Sequence, residues 1–157
     1  MSAGDPCGCP PTVAAADAAA IGVHHVIVNV RDLARSREFY GDLMPRLGYP
    51  GLTIHDDGAG YYGPAGSFWL KRIDPRFEAD TFHKDRVGLC EIAFGAGSRA
   101  QVDALHAHLV ARGARVLEAP REYDYTPGYY AVFFADPDGM KLEIVYVPPL
   151  AAAGREG

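Results

Sequence analysis

The sequence predicts an α+β domain built from two βαβββ modules whose strands form a curved mixed sheet around a cleft. Three observations predict it. Two β-branched runs are each followed by an amphipathic helical stretch and then by three short strand-like segments. Turn signals fall at matching places in the two halves. A length of 157 residues with 48% hydrophobic content suits one core of ordinary size.

The first module is placed at 21–73. It opens with the strand Ile21 to Val30, and Asp32 suits an N-cap that accepts a backbone N–H from the following turn. From Leu33 the helix shows Tyr40, Leu43, Met44 and Leu47 at helical spacing, and Gly48 suits a left-handed C-terminal cap. Strands are expected at 51–55, 58–63 and 66–73, separated by the turn signals Asp57-Gly58 and Gly63-Pro64. Residues 74–86 are rich in charge of both signs and poor in apolar side chains, so they read as a surface linker.

The second module is placed at 87–148. A strand is expected from Val87 to Phe94, and Ser98 with Gln101 forms a capping-box pair at the start of the next helix. Val102, Leu105 and Leu109 supply its apolar stripe, and Gly113 ends it. Strands follow at 114–119, 128–135 and 139–147. The last two are joined by Asp136-Pro137-Asp138-Gly139, where Pro fixes one turn dihedral and Gly closes the turn. Residues 1–20 and 149–157 lack apolar periodicity and read as flexible tails.

A net charge of −5 without any basic stripe argues against nucleic acid as a partner. No long apolar span or charged leader appears, which points to a cytoplasmic protein with no membrane role. Cys7, Cys9 and Cys90 make no disulfide framework; Cys7 and Cys9 suit at most adventitious metal binding, and Cys90 lies in an apolar run that reads as core.

Strand alternation then sorts the candidate chemistry by face. His25 groups with Val23, Ile27 and Asn29; Glu91 with Leu89 and Ala93; Glu143 with Lys141 and Val145. The opposite faces are more continuously apolar and should meet the helices. Two carboxylates on one side of a sheet are costly to bury unpartnered, and a divalent metal held by His25, Glu91 and Glu143 offsets that cost. Imidazole and carboxylate donors suit Zn, Ni, Co, Mn or Fe. Other arrangements satisfy the same pattern: Glu143 paired with Lys141, Glu91 at an exposed strand edge, and His25 as a core histidine bonded to a carbonyl. His24 reads as structural or surface, and His106 and His108 as solvent-facing. Trp69, Tyr125, Tyr129 and Tyr130 suit an aromatic substrate pocket, or simply packing.

These residues resemble the vicinal-oxygen-chelate superfamily, which includes glyoxalase I, methylmalonyl-CoA epimerase, extradiol dioxygenases and bleomycin-resistance proteins. The resemblance runs from about Ile21 to Pro148. It rests on His25 before Asp32-Leu33, on Ser36, Phe39-Tyr40 and Leu47-Gly48, and on the closing hairpin with Asp136 to Gly139 and Lys141-Leu142-Glu143. It implies His25 and Glu143 as metal ligands and a homodimer. Glu91-Ile92-Ala93 stands where the family has a ligand histidine, and Ser67 to Ile73 offers no carboxylate, amide or imidazole, unlike glyoxalase I.

The leading expectation is a metal-dependent lyase or isomerase acting on a small substrate with two neighbouring oxygens, with Glu143 or Glu91 as base. The alternatives are an extradiol-type Fe(II) dioxygenase and a non-catalytic, bleomycin-resistance-like binding protein.

Overall fold

The computed structural model describes residues 22–149, so the expected tails, with Cys7 and Cys9, lie outside the described residues. The first module contains β1 (His25–Val30), α1 (Leu33–Leu43), β2 (Gly51–Ile54), β3 (Gly58–Gly63) and β4 (Gly66–Arg72). The second contains β5 (Ile92–Gly95), α2 (Arg99–Ala111), β6 (Arg115–Glu122), β7 (Tyr130–Ala135) and β8 (Lys141–Tyr146). The strands divide into two four-stranded mixed sheets, ordered β1-β4-β3-β2 and β5-β8-β7-β6. In each, the strand before the helix runs parallel to the last strand of its module, and the other pairs are antiparallel.

Local chemistry sets the helix ends. The Asp32 carboxylate accepts the Arg35 N–H at 3.0 Å, and the Ser98 hydroxyl accepts the Gln101 N–H at 3.2 Å. The Gln101 side chain takes the N–H of Gly97 rather than that of Ser98, one residue outside the expected box. After α1 the chain tightens into a 3-10 turn over Met44–Leu47, and Gly48 ends it at φ +90°, a region that favours glycine.

One core spans both modules. The alternate residues Val26, Val28 and Val30 of β1 and Leu142 and Ile144 of β8 point into it, together with Tyr40, Leu43, Val102, Leu105 and Leu109 from the helices. Phe94 of β5 packs against Tyr49 and Phe68 of the first module, and Phe39 of α1 against Phe134 of β7. The turn after β7 bonds the modules together. The Tyr40 hydroxyl donates to the buried Asp136 carboxylate at 2.9 Å, and the Arg31 N–H donates to Asp138 at 2.9 Å.

Three expectations are corrected. The fifth strand begins at Ile92, not Val87: its partner β8 begins at Lys141, opposite Glu91 in this register, and leaves residues 87–90 with nothing to pair with. Cys90 therefore lies exposed rather than in the core. His108 is not solvent-facing either: its Nε2 meets Asp42 of α1 at 2.5 Å, and Arg112 reaches the same carboxylate at 3.2 Å, so the pair bridges the two helices.

Candidate functional site

The faces that turn away from the helices hold the candidate residues, and the two sheets treat those faces differently. In the second sheet Glu143 occupies the middle of the central strand. Alternation places it with Lys141 and Val145, and the register sets it beside Ala93 of β5 and Phe133 of β7. It is only 2% exposed. The Tyr129 hydroxyl donates to its Oε1 at 2.5 Å. Burial raises the Glu143 carboxyl above its ordinary range, and the nearby Glu91 charge raises it further, against the hydrogen bond from Tyr129 and the Lys141 ammonium. Burial also pushes the Tyr129 phenol well up, helped by its bond to the carboxylate.

A tyrosine wall closes this face. Tyr123 stacks on Tyr125 with ring centroids 5.7 Å apart, and both meet the Tyr129 ring edge-on. Tyr123 is itself held: its hydroxyl donates to Glu118 at 3.1 Å, and the Arg121 guanidinium lies 3.8 Å over its ring. Burial, then the bond to Glu118, pushes its phenol up to about 12. Glu91 stands just before β5, with Oε2 2.6 Å from the Lys141 ammonium, which also lies 4.0 Å over the Phe133 ring. Lys141 thus pairs with Glu91, not with Glu143.

In the first sheet the equivalent face is open. His25 is exposed at the start of β1, its Nδ1 3.0 Å from that of His24, so it is not a core histidine. Ile27, two residues on, is 57% exposed, and its register partner Trp69 stands on the same face. His25, Tyr62 and Trp69 share an open hollow of about 1000 Å³.

Of the residues singled out in the sequence, the structure brings Glu143, Glu91, Tyr129 and Tyr125 together on the second sheet. It does not bring His25 or Trp69 to them. Tyr130 leaves the group as well: it opens β7 directly after Tyr129 and points to the opposite face, where its hydroxyl donates to Asp103 at 2.7 Å. Among the described residues, no three His, Cys, Asp or Glu side chains stand close enough to hold one metal ion. Within a single chain these residues therefore do not fit the three-ligand site. Sequence reasoning missed Tyr123, and missed His55 and Tyr62 beside Trp69; the density of tyrosine in 123–130 was the available signal.

No helix among the described residues is long and apolar enough to cross a membrane. A model of the Glyoxalase/Bleomycin resistance protein/Dioxygenase superfamily matches residues 22–144. The chain is 36% identical over 124 residues to the uncharacterised protein YqjT of Bacillus subtilis, covering 78% of this chain and 97% of that one. Among solved structures it resembles a candidate glyoxalase from Bacillus halodurans, with TM-score 0.71, 36% identity, and 80% and 95% of the two chains covered. It also resembles a glyoxalase/bleomycin resistance protein from Albidiferax ferrireducens, with TM-score 0.65, 30% identity, and 80% and 98% covered.

Proposed function

The chain belongs to the Glyoxalase/Bleomycin resistance protein/Dioxygenase superfamily, and from that premise we propose that it is a glyoxalase-like lyase or isomerase in which Glu143 moves the proton. The observation that supports this is the state of Glu143: a carboxylate 2% exposed, raised by burial, and oriented by Tyr129. A base works best with its pKa near the working pH, and burial moves a carboxylate in that direction. The substrate is a small molecule with two neighbouring oxygens. Glu143 takes the proton from the carbon beside the substrate's carbonyl and returns it to the former carbonyl carbon, while the hydroxyl proton passes to the neighbouring oxygen, so that carbonyl and hydroxyl exchange places; Tyr129 holds the carboxylate in place. Tyr129, backed by the Tyr123 and Tyr125 rings, covers one side of it.

The divalent ion that family resemblance implies, one of Zn, Ni, Co, Mn or Fe, enters this proposal only with a homodimer. His25 lies on the first sheet and the two carboxylates on the second, so the three donors meet only if one copy supplies His25 and the other supplies Glu91 and Glu143. Glu91 would have to leave Lys141 to take part. A cytoplasmic location and no nucleic-acid partner complete the reading.

Proton exchange tests it without knowledge of the natural substrate. Hydroxyacetone in D₂O, followed by NMR, should exchange its carbon-bound protons faster with the protein than without it. Glu143→Gln should slow this exchange by about 10²-fold or more. Equal exchange by the variant would sink the assignment.

A second reading is favoured by one observation: both carboxylates already have partners within the chain, Tyr129 and Lys141. A site satisfied in this way suits a binding protein with a tyrosine-lined cleft and no reaction. That reading predicts saturable ligand binding with no exchange in either wild type or variant.

A further inference from the structure

We propose that the Lys141 ammonium is a second catalytic group, which bridges the two neighbouring oxygens of the substrate and takes up the negative charge that forms when Glu143 removes the carbon-bound proton. This rests on the reading of Glu143 as the base, and adds the group that holds the charge the base creates.

Removal of that proton leaves an enediolate, whose charge gathers on the former carbonyl oxygen. Such a charge is best met by a cation or hydrogen-bond donor already fixed in place. Alternation in β8 puts Lys141 on the same face as Glu143, roughly 7 Å away along the strand at the usual rise for two residues. Phe133 lies between them: it is the register partner of Glu143 on β7, and its ring sits 4.0 Å from the Lys141 ammonium. Glu91 fixes the ammonium from the other side. It stands opposite Lys141, one residue before the first register pair of β5 and β8, with its Oε2 2.6 Å from Nζ. The Lys141 side chain is only 21% exposed, so it lies along the sheet and does not extend into water. An ammonium has three N–H donors. Glu91 takes one, which leaves two donors for two oxygens.

The neighbouring polar groups are committed elsewhere. The Tyr129 hydroxyl gives its single proton to Glu143, and Arg121 binds Glu118, which also accepts from Tyr123. The charge of Lys141 already reaches Glu143, where it lowers the carboxyl against the effects of burial and Glu91.

The charge balance explains how an ammonium here speeds the reaction. As Glu143 takes the proton it becomes neutral, and the charge it carried appears on the substrate oxygen. The sum within the site does not change, but the charge has moved from an oxygen bonded by Tyr129 to one bonded by Lys141. A cation that meets the charge better after this move than before it lowers the barrier. The hydroxyl proton then passes between the two oxygens that the ammonium holds. Glu143 returns its proton to carbon and is again a carboxylate, and Lys141 ends with the protons it began with. One chain supplies all of these groups.

Hydroxyacetone exchange in D₂O, followed by NMR on the full chain, tests the role. Lys141→Met should slow the exchange by about 10²-fold. Lys141→Arg keeps the charge and should stay within about tenfold of wild type. Glu91→Gln breaks the same ion pair but leaves the ammonium, and should slow exchange about tenfold or less. That contrast separates catalysis from a structural ion pair, which either substitution would break alike. Circular dichroism checks folding, and Lys141→Gln takes the place of Lys141→Met if the latter does not fold. Exchange by Lys141→Met at the wild-type rate, an Arg variant as slow as the Met variant, or Glu91→Gln as slow as Lys141→Met would each overturn the role of Lys141 and leave Glu143 as the base. No exchange by wild type, or equal exchange by Glu143→Gln, would remove the base and this inference with it.

Discussion

The two sheets share a topology and an alternation, yet the outward face of one is open and that of the other is covered. Ile27 on the first is 57% exposed, while Phe133 and Glu143 on the second are each 2% exposed. The connection between the second and third strands of each module accounts for much of the difference. In the first module it is a tight turn of three residues, 55–57, and it cannot fold back over the sheet. In the second it spans seven residues, 123–129, and brings Tyr123, Tyr125 and Tyr129 down onto the face. A loop a few residues longer turns a half-exposed face into one that can bury a carboxylate and shift its proton affinity. The open face has no such cover, and His25 and Ile27 stay exposed on it.

Substitutions on the two faces should break this comparison most visibly. Phe133→Ala on the covered face should cost roughly 3–5 kcal/mol of stability, as a buried aromatic truncation does. Ile27→Ala on the open face should stay within about 1 kcal/mol. Urea unfolding of the two variants checks this, and equal losses would mean that the open face is covered in solution.

Tyr129→Phe removes the donor to a buried carboxylate and should destabilise by roughly 1–3 kcal/mol at neutral pH. The loss should shrink in acid, where Glu143 is protonated. Thermal melts across pH measure it.

Glu143→Gln should act in the opposite direction. Burial raises the Glu143 carboxyl in the folded chain, so the folded state binds the proton more tightly than the unfolded one. The stability tied to that proton is fully present below the ordinary carboxylate range and is lost as pH rises through the raised value. The Gln variant, which cannot ionise, should therefore melt higher than wild type at neutral pH, and the gap should close below about pH 4. A variant that melts lower at neutral pH would show the ionised carboxylate to be stabilising. The smallest effect should come from Lys141→Met, about 1 kcal/mol or less, since its partner Glu91 keeps partial access to water.

Much of the fold was legible because its signals are local. Asp32 and Ser98 cap the helices expected of them, the apolar parity of β1 and β8 chose the core face, and Asp136 to Gly139 makes the tight turn. The extent of β5 was not legible, because it depends on where β8 begins rather than on residues 87–91 themselves. The site was legible by face and not by distance. Parity put His25, Glu91 and Glu143 on outward faces, but it cannot tell which sheet a strand joins or how far apart two faces lie. Tyr130 shows the same limit in small: one residue beyond Tyr129, it points to the other side of β7. The bridge from His108 to Asp42 escaped because it joins two helices 66 positions apart in the chain.

The most direct test of the account is metal content measured together with molar mass, on untagged wild type beside His25→Ala and Glu143→Gln. If a second copy completes the donor set as proposed, wild-type dimers should carry near-stoichiometric metal and either variant little. Metal held by wild-type monomer, metal retained by His25→Ala, or a wild-type dimer that stays metal-free after reconstitution would contradict it.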